Sequence, residues 1–177
     1  YPGETISVSI GQGPLMVTPI QMATLAAAIA NGGELVTPHL DAGTVVSSEP
    51  IGLSPTTLAR ITQAMVDVVN SDRGTARRAR VAGHMLAGKT GTAQVVALDA
   101  ETDPGDHSWF VGFGPVPRPQ LAWAVIVEHG GHGGEAAAPL VGEVMERYLK
   151  RRGVEPREPL RVEAARTALT RRHDAPR

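Results

Sequence analysis

Three segments in the second half of the chain have the residue texture of β-strands. They are rich in valine, threonine and small residues and cover residues 86–96, 107–114 and 121–128. Three prolines lie between residues 115 and 119, where they exclude a helical connection and suit a hairpin between the last two segments. The sequence therefore predicts a small sheet, and the rest of the chain must cover its faces.

Helix signals flank these segments. Thr18-Pro19-Ile20-Gln21 has the pattern of a capping box with proline in the first turn, and it predicts an alanine-rich helix that runs to Ala30 and ends at Asn31-Gly32-Gly33. Ser54-Pro55 gives a second start, for a helix that ends near residues 70–72. Helical spacing predicts one buried stripe on that second helix: Leu58, Ile61, Met65 and Val68 or Val69.

Two further elements are predicted from periodicity alone. Ile6, Val8 and Ile10 alternate with polar residues, which is typical of a short strand over residues 5–10. Pro139 is expected to start a last helix. Its buried face is predicted to hold Leu140, Val144 and Leu149.

Composition excludes several classes of protein. The 177 residues carry a net charge of −1, which argues against a nucleic-acid-binding protein. There is no cysteine, so disulfide frameworks and cysteine-based zinc sites are excluded, and no apolar run has the length of a membrane span. Basic residues concentrate after Arg147. We expect residues 154–177 to form a basic, disordered, solvated tail, with some helix over 161–169; contact with an anionic lipid or polymer is the alternative.

Residues 83–90 fit the phosphate-loop pattern G-x-x-x-x-G-K-[ST] letter for letter. A phosphate loop needs a hydrophobic strand before it and a helix after it, because backbone N–H groups and the helix N-terminus hold the phosphate. Arginines precede Gly83, and Gly91 and Thr92 follow Thr90, so neither context is present. Nucleotide binding is therefore kept only as an unfavoured alternative.

The same residues support a different chemistry when Lys89, Thr90, Gly91 and Thr92 are placed in a strand. A cationic lysine and two hydroxyls suit a carboxylate ligand. Glycine removes the side chain that would obstruct a ligand lying along the strand, and a free strand edge can pair with an extended peptide. These four residues are the predicted substrate-binding site.

The chain here resembles a known family. Lys89-Thr90-Gly91 matches the K-T-G triad of the serine penicillin-recognising enzymes, which also have S-x-x-K and S-x-N motifs. Over residues 1–152 the sequence resembles class B penicillin-binding proteins, and the loop at residues 128–139 is most similar to the penicillin-binding protein 2 group. The resemblance rests on an ordered set of segments: 3–13, 18–33, 88–94, 109–113 and 129–139.

The resemblance implies an α+β fold with a five-stranded antiparallel sheet between helices, of which this chain would supply strands three to five. Residues 1–153 would form the C-terminal part of the transpeptidase domain. Such a partial sheet would leave the last strand without a neighbour, and we expect the isolated chain to fold poorly.

The resemblance also implies a reaction. A serine attacks the D-Ala-D-Ala end of a peptidoglycan stem peptide, an acyl-enzyme forms, and an amine of a neighbouring stem peptide accepts the acyl group. Lys89 would face the substrate carboxylate, which Thr90 and Thr92 would bind through their hydroxyls. The backbone N–H of Thr92 would be one half of the oxyanion hole, so Thr92 is also the predicted catalytic residue.

The two other family motifs are missing. The residues three positions before the two lysines are Leu86 and Arg147, and those two positions before the two asparagines are Ile29 and Val68. Truncation is the expected reason, because in the family both motifs precede the segment with which this chain begins. The nucleophile would then lie upstream of residue 1.

The resemblance further implies stem peptides, β-lactam antibiotics and the cell-elongation machinery as partners. No nucleic acid and no cofactor are implied. The family works on the outer side of the cytoplasmic membrane, in the periplasm, and its membrane contact would be made by an N-terminal anchor that precedes this segment. A penicillin-recognising sensor or a β-lactamase-related domain remains the alternative within the same fold.

Other polar residues are expected to be structural. The spacing of His129, His132 and Glu135 would allow them to act as metal ligands. They fall in a glycine-rich segment, however, and we predict that this segment is a surface loop that binds no metal. Ser108 has no evident base partner and is a weak nucleophile candidate, and Trp109 is expected in the core or a pocket wall. His84 is predicted to be a strand-entry residue.

Overall fold

The computed structural model describes residues 2–94 and 105–156. Four α-helices are α1 (Pro2–Ser9), α2 (Pro19–Ala30), α3 (Pro55–Asn70) and α4 (Ala137–Arg151), and a 3₁₀ helix covers Arg77–Ala79. Five strands are β1 (Glu34–Val36), β2 (Ser48–Pro50), β3 (Met85–Ala93), β4 (His107–Val116) and β5 (Leu121–Val127). In the described part of the chain, no helix is both long and apolar enough to span a membrane.

The main sheet has the order β3-β4-β5 and is antiparallel throughout. All three strands were predicted, as was the hairpin between the last two; residues 95 and 96 of the first predicted strand lie outside the described residues. β4 continues past Gly114 through Pro115. The register shifts here by one residue, because Gly114 and Pro115 lie opposite Leu86 alone. The bulge is therefore in β4, and a bulge is one of the few places where a strand accepts proline.

The sheet separates two apolar clusters. On one face α2 and α3 pack through Ala26, Met65 and Val66 against Ala87 and Phe113. On the other face α4 and the 3₁₀ helix pack against Leu86, Phe110 and Trp123; the α4 residues of this cluster are Ala137, Ala138, Val141, Met145 and Leu149. The predicted fold class, a mixed fold with helices on an incomplete antiparallel sheet, is therefore confirmed.

The start of α2 agrees with the sequence in atomic detail. The Thr18 hydroxyl accepts the backbone N–H of Gln21 at 3.3 Å, and the Gln21 side-chain oxygen accepts the backbone N–H of Thr18 at 2.8 Å. Ser54 caps α3 in a similar way at Thr57, and α3 ends at Asn70 as predicted. These caps are local, which is why the sequence is enough to find them.

The predicted strand over residues 5–10 is wrong. Residues 2–9 form α1, and Ile6 and Ile10 are largely exposed. An isolated strand leaves its backbone groups without partners, whereas a helix satisfies them internally. No strand in the described part of the chain pairs with this segment, so the alternation has no sheet to which it could contribute.

The predicted face of the last helix is also wrong in part. Leu149 is buried, but Leu140 and Val144 are 48% and 59% exposed. The buried stripe instead follows Val141 and Met145, and Gly142 lies between them. A Cβ on Gly142 would come within 3.0 Å of the Arg78 carbonyl oxygen, so the 3₁₀ helix packs on the side of α4 where the residues are small.

β1 and β2 form a two-stranded sheet that no sequence pattern predicts, and they pair antiparallel from Glu34 with Pro50 to Val36 with Ser48. Both strands have only three residues, too few to show a period. The described residues end at 156, so the predicted helix at 161–169 and most of the predicted tail lie outside them. Val154 is partly buried against the α4 side of the core.

Candidate functional site

The Lys89–Thr92 segment lies in β3, at the edge of the main sheet. Lys89 is exposed and Thr90 and Thr92 are half-buried. Since side chains alternate along a strand, the two threonine hydroxyls lie on one face and Lys89 on the other. β4 covers one side of this strand, and the opposite side is open within the described sheet.

The phosphate-loop alternative fails on this geometry. Gly83 lies in a turn closed by a hydrogen bond from the His84 N–H to the Val81 carbonyl. Lys89 and Thr90 then lie in the middle of a strand that continues to Ala93. A helix would have to begin at Thr90 to bind phosphate in that mode.

The backbone of Thr92 faces the open side of β3. The side-chain amide of Gln12 donates to the Thr92 carbonyl oxygen at 2.9 Å, and the Lys89 ammonium donates to the Thr90 carbonyl. In an antiparallel pair the N–H and C=O of one residue point to the same side, so the Thr92 N–H also points away from β4. An oxyanion hole needs this orientation; the role itself stays a prediction.

Gly91 fits closely over its neighbour on β4. A Cβ at this position would lie 3.1 Å from the Cβ of Trp109, the residue that pairs with it across the sheet. Trp109 therefore packs across the sheet from Gly91 and is partly buried; its placement in a pocket wall stays a prediction. Gly88 has a different reason: a Cβ there would meet the Phe110 ring at 2.5 Å, so this glycine makes room for the core.

The glycine-rich loop after β5 covers the threonine face of the site. A Cβ on Gly133 would lie 2.6 Å from the Gly91 carbonyl oxygen and 2.2 Å from that of Trp109. A Cβ on Gly134 would lie 2.1 Å from the Thr75 carbonyl oxygen. Only glycine allows the loop backbone to come this close to β3 and β4.

Ser108 anchors this loop. Its hydroxyl donates to the His132 carbonyl at 3.2 Å and accepts the Ala137 N–H, the first of α4, at 3.1 Å. The side chain is fully buried beneath the start of that helix. Ser108 thus caps α4 from a neighbouring strand, and this role accounts for its polarity without a nucleophilic function.

The histidines nearby form a small contact of their own. The His129 backbone N–H donates to Nδ1 of His107 at 3.0 Å, and the two rings meet edge to face with centroids 4.8 Å apart. His129 has a φ of 54°, uncommon for a residue with a side chain. In the described residues, no three histidine, aspartate or glutamate side chains are grouped as metal ligands would be.

Two residues of this site were missed by the sequence analysis. The hydroxyl of Thr75 lies 2.9 Å from that of Thr90, and Gln12 reaches Thr92 from the segment after α1. Gln12 is 80 residues from its partner. No periodicity or motif connects positions so far apart, and only the folded chain brings them together.

Comparison with known families identifies the class of protein to which this fold belongs. Residues 2–146 match the model of the penicillin binding protein transpeptidase domain. The chain therefore belongs to the penicillin-binding protein transpeptidase family.

Individual relatives place the chain more narrowly. It is 40% identical to the peptidoglycan D,D-transpeptidase MrdA of Acinetobacter baumannii over an alignment that covers 89% of this chain and 26% of that protein. The structure of Pseudomonas aeruginosa PBP2 in complex with WCK 5153 is similar with a TM-score of 0.72 and 39% identity, over 88% of this chain and 36% of that one.

A third relative is PBP2 of Helicobacter pylori, solved in complex with MreC. It has a TM-score of 0.74 and 32% identity, over 88% of this chain and 28% of that one. The resemblance to penicillin-binding protein 2 is confirmed. The chain spans only a minor part of the length of each of these relatives.

Proposed function

We propose that this chain is the part of a peptidoglycan D,D-transpeptidase that binds the carboxylate end of its substrate. The observation that carries the proposal is the open edge of β3, where Lys89 and two hydroxyls accompany an outward-facing Thr92 N–H. The substrate is a stem peptide ending in D-Ala-D-Ala, and a β-lactam takes its place. An extended peptide would lie along this edge as an added strand.

Each residue of the strand has a separate task in this proposal. Lys89 supplies positive charge toward the terminal carboxylate, and Thr90 and Thr92 donate hydrogen bonds to it. The Thr92 N–H stabilises the negative charge that develops on the carbonyl oxygen when a serine attacks. That serine belongs to a Ser-x-x-Lys motif, which the 177 residues do not contain, and it supplies the other half of the oxyanion hole from its own N–H.

The partners and location follow from the same family membership. We infer an enzyme of cell-envelope peptidoglycan synthesis that acts on the outer side of the cytoplasmic membrane. The structure of a similar PBP2 with MreC supports a place in the cell-elongation machinery. No cofactor is required, since serine acyl transfer needs only the nucleophile, a base and the oxyanion hole.

Labelling with a fluorescent penicillin tests this function. The complete natural protein should form a covalent adduct that a peptide ending in D-Ala-D-Ala competes away, and mass spectrometry should place the adduct on a serine outside residues 1–177. The 177-residue chain alone should not be labelled. An adduct on a residue of this chain would overturn the assignment of the nucleophile.

Lys89→Ala provides the second test, because the chain has one other lysine for comparison. Loss of a charged hydrogen bond of about 1.5–3 kcal/mol should slow acylation by about 10- to 100-fold. Lys150→Ala, at the exposed end of α4, should react like the wild type. Equal rates for both variants would contradict the proposed role of Lys89.

A further inference from the structure

The hydroxyl of Thr75 lies beside that of Thr90, although Thr75 is outside every motif of the sequence. Its hydroxyl oxygen is 2.9 Å from that of Thr90, and the side chain of Thr75 is exposed at the same surface. The residue comes from the connection between α3 and the 3₁₀ helix, not from the sheet. A site described only by β3 therefore omits one hydroxyl.

The backbone around Thr75 is held on both sides. The Ala76 N–H donates to the Val68 carbonyl at 3.0 Å, and a Cβ on Gly74 would lie 2.3 Å from the same oxygen. Gly134 packs against the Thr75 carbonyl from the glycine-rich loop. The connection is thus fixed to α3 on one side and to the loop on the other, and it presents the Thr75 hydroxyl in one place.

A separate contact, made by the side chain of Asn70, links α3 to β3. The side-chain amide of Asn70 donates to the carbonyls of Val66 in α3 and Leu86 in β3, both at 2.7 Å. α3 and β3 are therefore linked directly, at Leu86 in the strand that also carries Thr90. This link helps to hold the backbone that carries Thr75 next to the strand that carries Thr90.

We propose that Thr75 is a positioning residue that orients the hydroxyl of Thr90 toward a bound carboxylate. A hydroxyl has one proton to donate and two lone pairs. A carboxylate only accepts, so Thr90 can bind it only if Thr90 keeps its own proton. That condition holds when Thr75 donates to Thr90, and the resulting chain of two hydrogen bonds strengthens both. The inference rests on the proposed function.

The test compares a ligand with the carboxylate and a ligand without it. Acylation of the complete natural protein is followed by intact-protein mass spectrometry, with benzylpenicillin and with its methyl ester. Thr75→Val keeps the shape of the side chain and removes the hydroxyl. We expect about tenfold slower acylation by benzylpenicillin and an unchanged rate with the ester, because the ester has no charge to bind.

Three controls accompany this variant. Thr75→Ser keeps the hydroxyl and should restore most of the rate. Thr56→Val, at an exposed position of α3, should react like the wild type with both ligands. In a Thr90→Val background, Thr75→Val should cause no further loss, since it acts through Thr90. Thermal unfolding of each variant confirms that it is folded, and Thr75→Ala replaces the valine variant if that one is not.

Each contrary outcome has a distinct meaning. An equal loss with acid and ester would overturn the inference in favour of a general structural role. A loss that persists without the Thr90 hydroxyl would overturn it in favour of direct contact between Thr75 and the ligand. A wild-type rate for Thr75→Val would refute this inference alone, whereas a wild-type protein that neither penicillin acylates would refute the proposed function itself.

Discussion

At the scale of single residues, the site depends on glycines, which have no side chain, as much as on its polar side chains. Gly91 allows Trp109 to pack beneath the strand, and Gly133 and Gly134 allow a loop backbone to reach β3 and Thr75. Adding one methyl group at Gly133 would place it 2.2 Å from the Trp109 carbonyl oxygen, far inside van der Waals contact. The loop and the strand therefore fit only in this arrangement.

We expect Gly133→Ala to lower the stability of the protein by about 1–3 kcal/mol, as overpacking of a close contact does. The loop must move away from Gly91, so penicillin acylation should slow as well. Chemical unfolding of the complete protein and the labelling rate measure the two effects. Gly43→Ala is the matched control, because a Cβ there meets only ordinary contacts with Asp41. Equal stability of the two variants would contradict the described packing.

At the scale of elements, α3 and the connection after it form one unit. Arg80 donates from its guanidinium to the carbonyls of Val69, Asn70 and Ser71, at 2.9, 2.9 and 2.6 Å. These are carbonyls at the C-terminal end of α3, where the helix dipole favours a positive charge. Arg80, in the arginine-rich connection after α3, therefore caps the C-terminal end of this helix.

Removing this cap should destabilise the protein, although Arg80 is not one of the residues proposed to bind the ligand. We expect Arg80→Ala to cost about 1–2 kcal/mol, at the low end for charged hydrogen bonds because the side chain is partly exposed. Its 3.7 Å ion pair with the exposed Asp72 adds little. Arg78→Ala, at an exposed position of the 3₁₀ helix that precedes Arg80, should have a small effect. Urea unfolding distinguishes the two, and a larger loss for Arg78→Ala would refute the capping role.

At the scale of the whole molecule, much apolar surface remains uncovered. Leu40, Val45 and Met16 are almost fully exposed, and so are large parts of Ile6 and Ile10. β5 also lies at an edge of the main sheet with no further strand beside it in the described residues. Exposed apolar patches and open strand edges promote association between chains.

The isolated chain of 177 residues should therefore self-associate and unfold without a single cooperative transition. Light scattering and calorimetry measure these properties, and the complete natural protein is the control. Substituting Ile6, Val8 and Ile10 together by serine should reduce the binding of a hydrophobic dye, since all three side chains are at least 41% exposed. A monomeric chain with one sharp thermal transition would contradict this expectation.

The sequence by itself determined the features that depend on near neighbours. Thr18 and Ser54 cap helices through residues three positions away. The strand segments are recognised from their own residues, which are rich in valine, threonine and small side chains. The order of motifs along the chain was enough to recognise the family. These signals can be read from the sequence alone because each one depends only on a few neighbouring residues.

Only the tertiary structure decided how these elements face one another. The 3₁₀ helix packs on Gly142, and this contact determines which side of α4 is buried. Residues 2–9 form a helix because no strand of the described residues pairs with them. Distant contacts placed Thr75 at Thr90 and Gln12 at Thr92. Such contacts join residues far apart in the chain, and local sequence patterns do not predict which of these side chains meet in the folded protein.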